Sequence, residues 1–513
     1  MYNKSMKEKR GLFLVKKIVF NLVTREKRAA LIENGRVTEM MIEQNEEERI
    51  VNNVYKGRVV KVLPGMQAAF VDIGRDKHGF LYRDNLLSFH LSNEAEEKKK
   101  QRSVSEFVHE GEELVVQVTK EEFGSKGPRL TGVLAFPGHY AIYMPYGDYI
   151  GVSKRFTSET EREKWRIYGE KITEGQEGLI IRTSCEGRPG DVLEEEVSDL
   201  RRKWDRVNKR LYEQSSGRLL YQDATLTERV IRDHMYDDLQ EIIVDDFTTY
   251  KQMKEIFAES SKWQNRIKLH KKQTPIFTEY HIDKELQKAL RRQVWLKSGA
   301  YITIDQTEAL TVIDVNTGKF TGKNNFNETI WKTNKEAAKE IVRQLRLRDI
   351  AGMIIIDFID MRREEDRELL VQLLRAELKN DRTKTNVVGI TGLGLVEMTR
   401  KKVRQNLQDT LMKSCPTCQG KGAVPADETQ AFELERLLWE HKDTDHEAMV
   451  VELPSAILSV FAGSNGEHLK RLEEALGMRI LLYPNKRLVV GAQIRYVGAL
   501  EEAGKQLERL KSN

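Results

Sequence analysis

The feature that most constrains this sequence is the segment 295–410, where short apolar runs alternate with amphipathic patterns. The predicted elements are strand Leu310–Val315, helix Glu328–Arg348, strand Met353–Phe358, helix Arg363–Lys379, strand Asn386–Ile390 and helix Val396–Leu411. An apolar repeat that changes from every second residue to every third or fourth predicts β/α units on a common sheet. The continuous run Ile354–Ile356 is typical of a strand buried on both faces.

Length and composition limit the class of protein. At 513 residues the chain exceeds the roughly 250–300 residues at which one core stops growing, so we expect several domains. The net charge of +5 permits a nucleic-acid partner but does not argue for one. Three cysteines cannot form a disulfide framework, and no apolar run reaches the ~18 residues of a membrane span. These numbers predict a cytoplasmic protein.

Polar side chains mark the ends of two predicted strands. Asp314 and Asn316 are two residues apart and therefore project from the same face, and Asp357 ends the second apolar run. If the helix between the strands makes them parallel neighbours, both aspartates meet at the carboxyl ends, where such sheets bind ligands. Two carboxylates with water suit Mg²⁺.

A purely structural role for these aspartates is the alternative to a metal site. A lone aspartate at a strand end more often caps a helix or pairs with an arginine. For the two aspartates with Asn316 beside them, the residues support a metal site and a structural role about equally. No histidine lies between His281 and His441. A nuclease built on this segment would therefore use metal-activated water, which leaves a 5′-phosphate and a 3′-hydroxyl.

Three longer motifs resemble the catalytic core of the ribonuclease E/G family, and the chain is closest to its compact G type. They are Gln306–Gly318 (QTEALTVIDVNTG), Asn334–Asp349 (NKEAAKEIVRQLRLRD) and Ile356–Met361 (IDFIDM). The resemblance implies that Asp314 and Asp357 hold a catalytic Mg²⁺ and that Asn316 helps to orient the site. The sequence departs from many relatives after Asn316, where Lys319 and Lys323 become further candidates for phosphate contact.

The resemblance also implies a multidomain α+β and α/β fold. The expected domains are an RNase H-like scaffold (1–47 and 228–290), an S1 barrel (48–137), a 5′-sensor (138–227), a DNase I-like nuclease domain (291–412), a zinc link (413–424) and a small α+β domain (425–513). The chain ends soon after the small domain, so we expect no long C-terminal scaffold for a degradosome.

Residues 54–81 resemble an S1 domain, which is an OB-type barrel. In Ala68–Ile73 the apolar face is formed by alternate residues, which leaves Phe70 on the opposite, polar face as a platform for base stacking. Phe80 is a second such candidate, and Lys126 is a candidate for backbone phosphate. An isolated Phe in a barrel is more often core. The resemblance favours RNA contact for all three.

Arg182 and Thr183 end a strand-like run, GLIIRTS. A guanidinium and a hydroxyl can bind a terminal phosphate, although such a pair is usually part of a surface ion pair. The family resemblance implies a sensor for a 5′-monophosphate.

Cys415 and Cys418 form a CxxC pair, whereas structural zinc needs four ligands. The residues alone leave two alternatives, a redox pair or a zinc shared between two chains. The resemblance implies the shared zinc, with Cys185 as a core cysteine. It therefore implies a homodimer, or two dimers combined.

These residues and the family resemblance together imply a Mg²⁺-dependent endoribonuclease that cuts single-stranded, A/U-rich RNA in rRNA and tRNA precursor processing and mRNA decay. A 5′-monophosphate would stimulate it. A non-catalytic S1-domain RNA-binding factor is the main alternative, and a DNA nickase is the other.

Overall fold

The structure is a computed structural model, and it describes residues 15–44, 49–92, 94–121, 126–213, 217–234, 239–258, 261–318, 326–442 and 444–512. The chain divides into two compact units, residues 1–410 and 411–513. Within the described ranges, no helix is long and apolar enough to cross a membrane. The predicted mixed α+β organisation is confirmed.

The elements are numbered in chain order. The strands are β1 Lys16–Asn21, β2 Lys27–Glu33, β3 Arg36–Glu43, β4 Val54–Leu63, β5 Ala68–Asp72, β6 Gly79–Tyr82, β7 Glu113–Lys120, β8 Arg129–Thr131, β9 Phe136–Pro137, β10 Ala141–Met144, β11 Ile150–Val152, β12 Gly178–Ile181, β13 Arg218–Tyr221, β14 Leu239–Val244, β15 Ile267–Leu269, β16 Gln293–Trp295, β17 Tyr301–Gln306, β18 Leu310–Asn316, β19 Gly352–Asp357, β20 Thr385–Ile390, β21 Val396–Arg400, β22 Ala448–Pro454, β23 Arg479–Asn485 and β24 Gln493–Gly498. The helices are α1 Leu87–His90, α2 Glu96–Gln101, α3 Glu159–Ile172, α4 Asp191–Glu213, α5 Leu226–His234, α6 Phe247–Ile256, α7 Ser261–Arg266, α8 Ile276–Glu279, α9 Ile282–Ala289, α10 Phe326–Arg348, α11 Glu364–Glu377, α12 Leu407–Leu411, α13 Asp427–Trp439, α14 Leu458–Ala462, α15 Glu467–Leu476 and α16 Leu500–Ser512.

The first sheet joins two distant parts of the chain. Its order is β15-β14-β1-β2-β3, and β1 pairs in parallel with β14. Residues 16–43 and 239–269 therefore form one sheet, which we call the scaffold sheet. The strands β9–β12 form a separate four-stranded sheet that packs against α3 and α4.

The strands β4–β8 form a barrel-like sheet of the S1/OB type. The sheet curls until β4 pairs with both β5 and β7, and β13 adds to it beside β4. Two glycines permit this tight curvature. A Cβ at Gly57 would lie 2.5 Å from a Val71 methyl, and one at Gly79 would lie 2.3 Å from a Leu130 methyl.

The sheet of residues 293–400 has the order β16-β17-β18-β19-β21-β20, and we call it the nuclease sheet after the domain that the sequence resemblance implies there. The predicted helix over Val396–Leu411 is wrong, because Val396–Arg400 is a strand and only Leu407–Leu411 is helical. Its burial alternates with a period of two, with Val396 and Met398 buried and Thr399 exposed.

The expectation that β19 is buried on both faces is also wrong. Ile354 and Ile356 lie in the core that α10 and α11 cover, but Ile355 is only half-buried and Met353 is 52% exposed. Helices therefore cover one face of the nuclease sheet, and among the described residues the side chains on the other face remain largely exposed.

Helix α10 lies between the nuclease sheet and the scaffold sheet. Ala337, Ala338 and Ile341 belong to the nuclease core. From the other side of the helix the buried Arg346 donates hydrogen bonds of 3.0 Å to Glu33 and 2.7 Å to Glu39 of the scaffold sheet. A buried charge must be paired, so this guanidinium fixes the helix against the scaffold.

Arg346→Ala is predicted to lower the free energy of unfolding by about 3–5 kcal/mol, because it removes the buried cation that Glu33 and Glu39 share. Chemical denaturation measures the loss. The control Lys332→Ala removes an exposed ion pair with Glu328 on the same helix and should cost less than ~1 kcal/mol. Equal losses in the two variants would contradict the role of Arg346.

Candidate metal centre

Asp314 and Asp357 lie directly opposite each other on neighbouring parallel strands. β18 and β19 are joined through α10, and their register pairs Asp314 with Asp357 at the carboxyl ends, as the sequence predicts. Asn316 projects beside them, and its Nδ2 donates a 2.6 Å hydrogen bond to Oδ2 of Asp314. The three side chains form one cluster, which we call the carboxylate pair with its amide.

The cluster lies on the open face of the nuclease sheet, and both carboxylates are exposed. The pKa of Asp357 is raised, first by partial burial and then by the negative charges of Asp314 and Asp360. Two like charges held this close repel each other, and a divalent cation between them would remove that repulsion.

The donor set fits a hard cation that keeps part of its water. Among the residues that the structure describes, no group of three or more His, Cys, Asp or Glu could hold a metal. Two carboxylates and an amide oxygen are hard oxygen donors, and Mg²⁺ commonly binds one or two carboxylates while retaining several waters. The cluster suits Mg²⁺ better than a closed zinc or calcium site.

Two further residues shape the cluster, and neither was singled out from the sequence. Asn334 of α10 is fully buried, and its amide donates to the carbonyl of Ile359 at 2.8 Å and accepts from the amide N–H of Ile359 at 3.1 Å. This clamp fixes the loop that follows Asp357. Asp360 lies in that loop and is exposed. The negative charge of Asp360 acts on Asp357 only in the folded loop, so the spacing of residues in the sequence could not indicate this effect.

The predicted 5′-phosphate residues follow β12. Arg182 is partly exposed, and its Nη1 donates a 3.3 Å hydrogen bond to Asp233. Burial alone would raise the pKa of Asp233, but Arg232 and Arg182 lower it. Thr183 begins the short turn Thr183–Cys185 and is half-buried. The guanidinium is thus held at the surface by a carboxylate.

The predicted RNA-contacting aromatics lie together on the barrel. Phe70 and Phe80 are direct cross-strand partners, half-buried, with ring centroids 5.5 Å apart. Tyr82 extends the row at 4.7 Å from Phe80, and the Arg129 guanidinium lies 4.5 Å from the Tyr82 ring. Tyr82 and Arg129 were not predicted from the sequence, although the alternation of GFLY places Tyr82 on the face of Phe80.

The remaining predicted contacts are basic. Lys126 is exposed, next to residues 122–125 that lie outside the described part of the chain. Lys319 and Lys323 also lie outside the described residues.

The CxxC pair lies at the start of the second unit, with Cys415 exposed and Cys418 half-buried. Backbone N–H groups of Cys418 and Thr417 donate to the Cys415 sulfur and lower the pKa of its thiol. Cys185 behaves differently, because complete burial raises its pKa to about 12. Cys415 is therefore suited to act as a thiolate ligand, whereas Cys185 is a core residue.

Comparison with known proteins places the chain in a family. The sequence profile described as the Ribonuclease E/G family matches residues 135–403, which include Arg182, Thr183 and the carboxylate pair with its amide. Ribonuclease G of Escherichia coli strain K12 is 40% identical over 468 residues, which cover 90% of this chain and 96% of that protein. Ribonuclease G of Haemophilus influenzae is 42% identical over 422 residues, which cover 82% of this chain and 86% of that protein.

Ribonuclease E of a Nostoc species is 37% identical over 399 residues, which cover 77% of this chain but 57% of that protein. The chain belongs to the ribonuclease E/G family. The predicted similarity to the compact G type is confirmed, because the alignment covers nearly all of the Escherichia coli ribonuclease G.

Asp357→Asn is predicted to raise the melting temperature of the chain in EDTA at neutral pH. A carboxyl whose pKa is raised by folding favours the protonated state, so its ionisation costs stability as pH rises through that pKa. The gain should be present at neutral pH and shrink as pH falls through the raised pKa of the native carboxyl.

Asp305→Asn is the matched control on the same sheet face. A hydrogen bond from Arg292 lowers the pKa of Asp305, so its ionised form is favoured by folding and the control should gain nothing. A lower melting temperature for Asp357→Asn at neutral pH would contradict the repulsion inferred for the carboxylate pair.

Proposed function

We propose that this chain, an endoribonuclease by its family, cuts single-stranded, A/U-rich RNA with Mg²⁺ bound by Asp314 and Asp357. The observation that carries the proposal is the parallel register that brings the two carboxylates together on an open sheet face. Bound Mg²⁺ would supply an activated water and stabilise the charge that develops on the phosphate. The products would carry a 5′-phosphate and a 3′-hydroxyl.

Each residue of the cluster has a distinct task in this proposal. Asp314 and Asp357 supply the negative charge that binds the cation. Asn316 orients the Asp314 carboxylate through the 2.6 Å hydrogen bond from its Nδ2. Its amide oxygen would serve as a neutral ligand for the cation. Asn334 is a positioning residue, since it fixes the loop after Asp357. The open face leaves room for an extended strand of RNA.

The barrel would bind the same RNA through its aromatic row. Phe70 and Phe80 offer faces on which bases stack, and stacking tolerates different bases, as a nuclease with many transcripts requires. Lys126 would contact the backbone phosphates. A stacked, single-stranded substrate fits roles in rRNA and tRNA precursor processing and in mRNA decay.

Arg182 and Thr183 would bind a 5′-monophosphate. Asp233 holds the Arg182 guanidinium at the surface, and the incoming phosphate would compete for it with stronger, charge-assisted hydrogen bonds. The Thr183 hydroxyl would add a further donor. Occupation of this site would stimulate cutting at the carboxylate pair.

Two chains would share one zinc ion through Cys415 and Cys418. The lowered pKa of Cys415 favours the thiolate that zinc requires, and one chain offers two of the four ligands. The active form would be a homodimer, or a pair of such dimers.

Asp314→Asn and Asp357→Asn are predicted to abolish Mg²⁺-dependent cutting while RNA binding persists, because each change removes an anionic ligand at almost constant size. Asp305→Asn, on the adjacent strand of the same face, should retain activity. Cutting by either cluster variant at near the wild-type rate would show that these two carboxylates do not bind the catalytic metal. Binding without cutting by the wild-type chain would favour the alternative, a non-catalytic RNA-binding factor.

Arg182→Ala is predicted to reduce the preference for 5′-monophosphorylated over 5′-hydroxyl RNA by about tenfold or more, since a hydrogen bond to a charged group contributes ~1.5–3 kcal/mol. The ratio of kcat/KM for the two substrates measures this. Arg166→Ala, which removes an exposed arginine paired with Glu163, is the control. An unchanged ratio in Arg182→Ala would leave Arg182 as an ion-pair residue only.

Cys415→Ser combined with Cys418→Ser is predicted to lose zinc and to shift the protein to smaller species. Elemental analysis should give one Zn²⁺ per two wild-type chains, and light scattering should report the dissociation. Ser414→Ala, at an exposed neighbouring position, should change neither. One zinc per chain, or an unchanged oligomer in the double variant, would refute the shared site.

A further inference from the structure

The second unit contains a β-α-α-β motif that the proposed function does not use. β22 and β23 are parallel neighbours, and the connection between them consists of α14 and α15. The loop between these helices is Gly463–Gly466, with the sequence GSNG. The order of the sheet is β23-β22-β24, and partly exposed β23 is one of its two edge strands.

The backbone of this loop requires its glycines. Gly463 and Gly466 have φ values of 76° and 77°, and Asn465 between them has 57°. A Cβ at Gly463 would lie 2.7 Å from the His468 ring, whereas nothing lies within 4 Å of the Cβ position at Gly466. Ser464 and Asn465 are exposed. The loop therefore has no side chains at its two glycines, so the backbone of a ligand can approach the main chain closely.

Four exposed cations accompany the loop: Lys470, Arg471, Lys486 and Arg487. In the described part of the chain none of the four forms an ion pair, whereas Arg479 pairs with Glu473 and Arg495 pairs with Glu452. Unpaired surface cations that cluster on one side favour an anionic partner.

The topology brings three of these cations to the loop. Because β22 and β23 run in parallel, α15 returns from their carboxyl ends to their amino ends. The loop and the first turn of α15, with Lys470, therefore lie at the carboxyl end of the strands. Lys486 and Arg487 directly follow β23 and lie at that same end.

Apolar side chains lie between the loop helices and the edge strand. Leu469 of α15 and Leu482 of β23 are partly buried and pack against the same core cluster. An apolar strip flanked by a bare loop and by cations can accept unstacked bases, with the phosphates directed to the loop and the cations.

We propose that this surface, the GSNG surface of residues 463–487, binds single-stranded RNA. A GxxG loop between two helices of such a motif is the arrangement with which KH domains clamp about four nucleotides. The GSNG surface would be an additional RNA-binding surface, distinct from the barrel and from the carboxylate pair. The proposal draws on the proposed function only for its choice of RNA as the ligand.

Photo-cross-linking of the full-length chain tests the proposal. The chain carries Asp357→Asn and is kept without Mg²⁺, and the probe is a single-stranded oligoribonucleotide of about 30 nucleotides with 4-thiouridine. Cross-links are expected in peptides of residues 463–487 and in the barrel. Ser464→Asp with Asn465→Asp should lower the yield at 463–487 about tenfold, because two carboxylates repel phosphate, and should leave the barrel cross-links unchanged.

Ala475→Asp with Ala499→Asp is the matched control. It adds the same two charges at exposed positions near the opposite end of the sheet and should retain the cross-links. Lys486→Ala with Arg487→Ala leaves the glycine loop intact and should lower the yield as well. Absence of cross-links at 463–487, or equal yields in the loop variant and its control, would overturn the proposal. Since nothing is cut in this experiment, either result leaves the Mg²⁺ site to be judged separately.

Discussion

The parallel register of β18 and β19 is the constraint on which the candidate site depends. Asp314 and Asp357 meet because the two strands pair residue for residue up to their carboxyl ends. A shift of the strand register by one residue would direct one of the carboxylates towards the helix-covered core, where an ionised group is costly. The register is held by α10, which makes the crossover and packs small residues such as Ala337 and Ala338 closely against the sheet.

The same helix links the site to the rest of the first unit. Its apolar side completes the nuclease core, while Arg346 on the other side is bonded to Glu33 and Glu39 of the scaffold sheet. Asn334, near the middle of α10, fixes the loop that follows Asp357. A helix held on both sides cannot shift without disturbing the carboxylates, so these contacts position the pair independently of any cation. Such preorganisation is what electrostatic catalysis requires.

The sequence predicted the strands and helices from residue 310 to 390 because their apolar periods are unambiguous. It failed at Val396–Arg400, where a five-residue alternation is too short to be distinguished from a helix that continues to Leu411. It also failed at Ile354–Ile356, because an apolar run does not reveal that one sheet face is left open. The parallel pairing of β1 with β14 joins residues more than 200 positions apart, and no local pattern indicates it. Asn334, Asp360 and Tyr82 were missed because their roles come from tertiary neighbours.

If RNA is cut by a metal-dependent reaction at the carboxylate pair, the chemistry of the new ends must show it. A 5′-monophosphorylated, A/U-rich oligoribonucleotide and its DNA copy are incubated with the wild-type chain, with Mg²⁺ or with EDTA, and the products are analysed by mass spectrometry. We expect RNA fragments with 5′-phosphate and 3′-hydroxyl ends, formed only with Mg²⁺, and an intact DNA copy. Fragments with a 2′,3′-cyclic phosphate, or cutting that continues in EDTA, would contradict this expectation.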